Sequence, residues 1–465
     1  MRKAQIAALT AATLLVASGY YGLADALDLV PGPVTAAAED ITPQPFPRVA
    51  SPQATVSQPS PLPEDAPVPQ EAALDSLVQA LEEDEALEEA SVSASVIDVA
   101  TGEEVLDHRA GTALTPASSN KLLTAWAALS LLGPEHTWET STVLEGQTLT
   151  LVGGGDVLLA ADEGDPTATA GRAGLGDLAR QAAEALRGQG VTSVSLHLDD
   201  TLFSGPAWNE AWEAGNEAWV SGVQPIMVDV SAYHGQGGYP SDPALHAAQT
   251  FADHLREAGV SVQGSITRAA AADSATAVAS VSSAPLADIL ALSLRTSDNS
   301  MTEVEGHLVA AAAGESADFE GAARAVLAQL GQDGFDTAGV TLLDSSGLAK
   351  GNKVPARLLA QVVDRAAGDQ GGEVGRTLLA ALPVGALDGT LDDRFLDTAA
   401  AGTVRAKTGS LDQTVSLSGV VTTADGRLLA FAVVVDGFAE GGLTAARSAL
   451  DERLMVPLAA CGCQG

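Results

Sequence analysis

The sequence predicts an α+β fold: a three-layer domain built from both chain ends, with a large second domain inserted between them. Three observations carry this. Strand-like alternation appears near the start, over Ser91–Ile97, and again near the end, over Val415–Thr422 and Leu428–Val435. Apolar helical segments such as Leu122–Leu132 and Met301–Ala313 separate these strands, which suits helices layered on one sheet. Residues 143–283 differ in character: they are rich in Gly and Asp, with a short strand at Ser193–Leu198 and helices near Leu175–Leu186 and Ala244–Ala258.

Taken in order, the chain opens with Arg2 and Lys3 ahead of 21 uncharged residues, Ala4 to Ala24. A basic start before an apolar run marks an export signal, and the run is also long enough to cross a bilayer. Residues 1–30 are therefore read as a signal peptide or a membrane anchor, with the rest of the chain working outside the cytoplasm. Ala24-Asp25-Ala26 and Ala36-Ala37-Ala38 both fit a cleavage site, and no cysteine follows to take a lipid. Residues 31–72 form a Pro-rich linker, since 11 of the 22 prolines fall between 31 and 70 and such a stretch cannot pack a core. A helix is expected from Glu71 through Glu89, its six acids between Glu82 and Glu89 forming a solvated face. Ser91–Ile97 and Glu104–His108 make a hairpin about the Ala100–Glu103 turn, and the last two strands make another about Ala424–Arg427. Leu443–Leu458 reads as a closing helix. Residues 73–142 and 284–465 thus form one domain, and 143–283 the inserted one.

Composition removes several functions. The formal charge of −37 leaves no basic surface for a nucleic acid or for docking on an anionic membrane, so membrane contact is expected only through the N-terminal segment. Two cysteines, Cys461 and Cys463, exclude a disulfide framework and a cysteine-built zinc site; they either close a tight disulfide or belong to a loose tail. His246 and His254 lie two helical turns apart, about 12 Å, too far to share one ion. Glu303 and His307 share a helix face and read as a surface pair. No metal or other cofactor is expected.

Lysine is the informative residue. Only five occur (Lys3, Lys121, Lys350, Lys353 and Lys407) against 18 arginines. A chain that prefers Arg keeps Lys where a proton must come off, because Lys loses one on desolvation and Arg does not. Pro116 followed by an apolar run starts a helix, with Ser118 in its first turn and Lys121 one turn on, so Lys121 can be the base that activates the Ser118 hydroxyl. Alone, the pair also fits a helix cap beside an exposed lysine. Lys407 lies in Lys407-Thr408-Gly409-Ser410, just before the final strands; the lysine and threonine suit a carboxylate, and Gly409 lets a substrate backbone approach a strand. Ser297-Asp298-Asn299 breaks two apolar helices. Lys350 and Lys353, after Asp344-Ser345-Ser346-Gly347, read as an ordinary solvated surface loop, with a loop at the rim of a site as the alternative.

Together, S-x-x-K, S-D-N and K-T-G in this order are the motif set of serine penicillin-binding enzymes and β-lactamases. The chain resembles one family in particular, the class C low-molecular-mass penicillin-binding proteins, which are D-alanyl-D-alanine carboxypeptidases and endopeptidases. The resemblance extends to Leu151–Asp156, Pro225–Asp229, Asp344–Leu348 and Leu382–Leu391, and so to about residues 73–458. Ser118 and Ser297 are 179 positions apart, a gap that this family fills with an inserted domain. Val157-Leu158-Leu159 and Ser345 depart from the family's usual residues.

The resemblance implies a penicillin-binding/transpeptidase-like (β-lactamase-like) fold and a set of roles. Ser118 attacks the carbonyl of the penultimate D-Ala to give an acyl-enzyme, with Lys121 as base. Ser297 relays a proton to the leaving amine, and Asn299 holds the substrate amide. Lys407, Thr408 and Ser410 bind the terminal carboxylate beside Gly409, and the N–H groups of Ser118 and Ser410 form the oxyanion hole. The partners are peptidoglycan peptides ending in D-Ala-D-Ala and β-lactam antibiotics. Two alternatives stay open: a serine β-lactamase, although no Glu is evidently placed to activate a deacylating water, and a non-enzymatic cell-wall module.

Overall fold

The computed structural model describes residues 2–26, 62–63 and 65–461. Most of the linker and the partner position Cys463 lie outside the described residues, so the cysteine pairing does too. Residues Arg2–Ala26 are one helix, long and apolar enough to cross a membrane.

Strands in chain order are β1 (Ser91–Asp98), β2 (Glu103–His108), β3 (Ala113–Leu114), β4 (Glu139–Glu145), β5 (Thr148–Val152) and β6 (Ser193–Asp199). They are followed by β7 (Ser261–Arg268), β8 (Thr276–Ser282), β9 (Val354–Pro355), β10 (Val404–Leu411), β11 (Thr414–Thr422) and β12 (Leu428–Asp436). The main sheet runs β10-β11-β12-β1-β2, antiparallel throughout, so both chain ends do build it. Side chains alternate across a strand, and β12 is apolar on both faces for that reason. Leu429, Phe431, Val433 and Val435 pack with Leu74, Val78 and Leu81 of the first folded helix and with Leu450 and Leu454 near the C-terminus. Ala430, Ala432 and Val434 face the other way, toward Leu358, Leu359, Val362 and Val363 of the helix Ala356–Ala367. A sheet sandwiched in this way is the three-layer arrangement expected.

Two helices differ from expectation. The one begun at Glu71 ends at Glu82, and Asp84 then caps a short 3₁₀ turn, Glu85–Leu87, which buries Leu87. Crowded acids disfavour a longer helix, and the turn feeds β1 from the correct side. The closing helix is interrupted. Leu443–Ala449 passes into a π-helical stretch, Leu450–Met455, before Val456–Ala460. Pro457 has no N–H to give back to the preceding turn, and such an insertion is a way to absorb that.

A second sheet runs β7-β6-β5-β4-β8. Its parallel pairs β5–β6 and β6–β7 are crossed by the helices Leu175–Gly188 and Pro243–Glu257, whose Leu178, Leu186, Phe251 and Leu255 pack on Leu149, Leu151, Leu196 and Leu198. β8 returns beside β4, pairing Ser282 with Glu139.

The chain ends are also joined electrostatically. Asp98 at the end of β1 and Arg427 at the start of β12 are buried together, with Arg427 Nε 2.6 Å from Asp98 Oδ1 and a second N–H on Oδ2. Removing one member of a buried pair strands the other charge. Asp98→Ala is expected to lower stability by about 3–5 kcal/mol. Urea melts of the two proteins measure it, and a loss below about 1 kcal/mol would show that water reaches Arg427.

Candidate active site

The turn that carries Ser118 is built under strain. Ala117 takes φ +46°, a left-handed conformation that non-glycine residues seldom hold and that costs of order 1–3 kcal/mol. Ser118 follows in a 3₁₀ turn, Ala117–Asn120, and the α-helix begins only at Lys121. Ser118 therefore precedes the α-helix, one turn earlier than the spacing predicts. Buried polar contacts hold the turn in place. Ser416 Oγ on β11 donates to the Pro116 carbonyl at 2.6 Å, Ser119 and Ser416 hydroxyls meet at 2.8 Å, and Asn120 Nδ2 donates to the Asp344 and Ser345 carbonyls. Gly409 on β10 lies against the same turn: a Cβ there would come within 2.2 Å of Ser416 Oγ and 2.9 Å of the Pro116 oxygen. The close approach that glycine permits is thus to the protein's own Ser118 turn, where the sequence suggested a substrate backbone.

Lys121 is fully buried. Its Nζ lies 3.0 Å from Ser118 Oγ, 2.7 Å from Asn299 Oδ1 and 2.9 Å from the Ser346 carbonyl. Burial pulls its pKa down to about 8, and Glu303 and Asp344 resist the fall. Glu303 is not the surface residue expected. Its helix, Asn299–Ala313, is buried around most of its circumference, and its carboxylate accepts the N–H groups of Ser345 at 3.2 Å and Ser346 at 2.8 Å. Burial, then the nearby Asp344, push Glu303 up to about 8. His307 is buried as well, packed on Phe203 and Phe319, and burial lowers it to about 4. A neutral core imidazole replaces the expected surface pair.

Ser297 caps the helix Leu286–Thr296 at φ +61°, which turns its hydroxyl toward β10. Lys407 Nζ donates to Ser297 Oγ at 2.8 Å and to the Thr408 carbonyl at 2.8 Å. Burial, then the charge on Lys121, hold Lys407 well below the ordinary lysine range. Thr408 Oγ1 meets Thr390 Oγ1 at 2.8 Å. Asn299 has both ends of its amide engaged: Oδ1 accepts from Lys121 and Nδ2 donates to the Trp219 carbonyl at 3.1 Å. Asp298 caps the next helix through the Met301 N–H, and its other oxygen lies 3.4 Å from His234 Nδ1.

These groups open on one cleft of about 540 Å³, lined by Ser118, Ser297, Asn299, Thr408 and Ser410. Lys121, Lys407 and Gly409 lie behind its wall rather than on it. Glu213, Trp219 and His234 from the middle of the chain also line it, as do Thr390 and Arg447 from the C-terminal half. Sequence reasoning missed all five, together with Glu303. For Glu303 a signal was present, one turn after Asn299 on the same helix face; the others sit in loops or read as surface residues. Lys350 and Lys353 separate. Lys350 lines the cleft between Glu213, at 2.6 Å, and Asp412, at 3.1 Å. Lys353 points elsewhere, to Thr115 Oγ1 at 2.9 Å and Asp436.

A family model described as the D-Ala-D-Ala carboxypeptidase 3 (S13) family matches residues 72–236 and 239–455. The carboxypeptidase DacB of Mycolicibacterium smegmatis is 35% identical over 385 residues, covering 80% of this chain and 81% of that one. A carboxypeptidase of Mycobacterium tuberculosis is 37% identical over 382 residues, with 79% and 80% covered. The crystal structure of penicillin binding protein 4 from Haemophilus influenzae superposes with a TM-score of 0.68 over 83% of this chain and 99% of that one; at 20% identity the likeness is one of fold. Matched over nearly all of its folded length, the chain belongs to the D-Ala-D-Ala carboxypeptidase 3 (S13) family.

Proposed function

We propose that this serine-type D-Ala-D-Ala carboxypeptidase works on peptidoglycan stem peptides through an acyl-enzyme on Ser118. The observation that carries the reading is the buried Lys121 amine 3.0 Å from Ser118 Oγ, with a pKa of about 8. A neutral amine at that distance can take the hydroxyl proton as the oxygen attacks the penultimate D-Ala carbonyl. Asn299 and the Ser346 carbonyl hold the amine in line. The oxyanion would sit on the N–H groups of Ser118 and Ser410, a contribution of roughly 10²–10³ in rate. Ser297, bonded to Lys407, would pass a proton to the leaving D-Ala amine, while Thr408 and Ser410 take its carboxylate. Asn299 would give up its Trp219 contact to hold the substrate amide. Water then releases the acyl group.

The same serine would be acylated by penicillins and freed slowly. Glu213 and Asp412, the acids lining the cleft among the described residues, are both paired with Lys350, and both Glu303 oxygens are occupied by N–H groups, so none is placed to drive deacylation as in a β-lactamase. The activity belongs outside the cytoplasm, with the helix Arg2–Ala26 as a signal that is cleaved or kept as an anchor. Residues 143–283 would act as an inserted domain that supplies Glu213, Trp219 and His234 to the cleft.

Three outcomes test this. Penicillin should add once, at Ser118, as read by intact mass and peptide mapping; label on another residue, or turnover within seconds, contradicts the reading. Lys121→Arg keeps the charge but cannot accept a proton, so the variant, checked for folding by its melting curve, should acylate roughly 10²-fold more slowly or worse. A rate within a few-fold of the parent would move the base elsewhere. The pH profile has a defined sign. Lys121 is depressed in the folded protein, so its base form is scarce below about 8 and dominant above. The second-order acylation rate should rise roughly tenfold per pH unit up to that point and then flatten. A flat profile from pH 6 would remove Lys121 as the base.

A further inference from the structure

The cleft is lined by charges of both signs. Lys350 faces two carboxylates, Glu213 and Asp412. Arg394 and Arg447 also line it, and one further acid, Asp451, pairs with Arg394. Arg394 takes that acid through Nε at 3.0 Å and a second N–H. Arg447, on the short helix Leu443–Ala449, is left with Nη2 donating to Ser410 Oγ at 3.3 Å, and its Nε–H is buried without a hydrogen-bond partner among the described residues. A guanidinium so placed, beside a strand hydroxyl and short of an acceptor, suits a planar anion that brings two oxygens.

The lysines cannot easily fill that place. Lys121 sits near 8 and Lys407 well below its ordinary range, because burial disfavours the charged form of each and, for Lys407, the charge on Lys121 adds to it. Lys407 also spends donors on Ser297 and on the Thr408 carbonyl. Arginine keeps its charge at any working pH.

We propose that Arg447, with Ser410, binds the carboxylate next to the scissile amide, and so selects leaving groups that bear one. The inference rests on the peptidase reading given above. Its chemistry is a charge-assisted pair formed as the peptide end enters and broken when the free amino acid departs.

The experiment compares kcat/KM for an N-acyl-D-Ala-D-Ala peptide and for its C-terminal carboxamide. In the parent protein the ratio of acid to amide should stay high from pH about 7 to about 10, since a guanidinium does not titrate there. A ratio that collapses as pH passes 8 would assign the carboxylate to a lysine and overturn the proposal without any variant. Arg447→Gln should cut the ratio by ~10-fold or more, chiefly through KM, and Arg447→Lys should recover most of it at pH about 7. Equal losses on both substrates, unrecovered by lysine, would mean a structural role and also overturn it, as would an unchanged ratio. A parent protein that releases D-Ala from neither peptide would instead bring down the peptidase reading, and this proposal with it.

Discussion

One buried ammonium group organises the molecule. Lys121 leaves water entirely, and that is tolerable only because three acceptors surround its Nζ. They come from distant parts of the chain: Ser118 one turn away, Asn299 at the head of a helix 178 positions on, and the Ser346 carbonyl in a later loop. Each must dock before the amine can be enclosed, so assembly of the core and assembly of the site are one event. The support reaches further out. Glu303 holds the Ser345 and Ser346 N–H groups, while Asp344 accepts from Gly347, Ala349, Asn352 and Trp212. Gly347 fits because a Cβ would meet the Ala117 oxygen at 1.9 Å. The same enclosure that makes Lys121 costly to bury lowers its pKa to about 8, so that part of it is uncharged and able to take a proton near neutral pH.

What was legible in the sequence follows from range. Ser118 and Lys121 are one turn apart, so their spacing alone brings them together, and the alternation of β1, β11 and β12 reports burial on each face. Burial of a charged residue is not local information. Glu303 looked solvated because acids usually are, and only the packing of its helix on every side reveals otherwise. Gly409 read as space for substrate because the turn that fills the space lies nearly 300 positions earlier. The cleft wall from Glu213 to His234 comes from irregular chain with no period to read. Arg447 looked like any arginine on a terminal helix.

The strong negative charge of the chain is compatible with the proposed anion site because the two act over different distances. Surface acids are screened within about 8–10 Å at ordinary salt, whereas groups in a partly closed cleft respond to their immediate neighbours. Of the two arginines lining the cleft, Arg394 is matched by Asp451, so the local excess is small and directional. Net charge then governs solubility and the approach of other polyanions rather than what is held beside Ser118.

The pairing of β4 with β8 has an evolutionary consequence. Because the chain leaves along one strand and comes back along its neighbour, everything between Glu145 and Thr276 starts and ends at one two-stranded stem, although Trp212 and Trp219 within it reach back to Asp344 and Asn299. Length can be gained or lost beyond that stem while its ends stay where they are, and the entropy of closing a longer excursion grows only with the logarithm of its length. Descendants of one ancestral hydrolase could thus vary the outer sheet and its helices freely, whereas the stretch that carries Trp212 and Trp219 must keep its grip on Asp344 and Asn299.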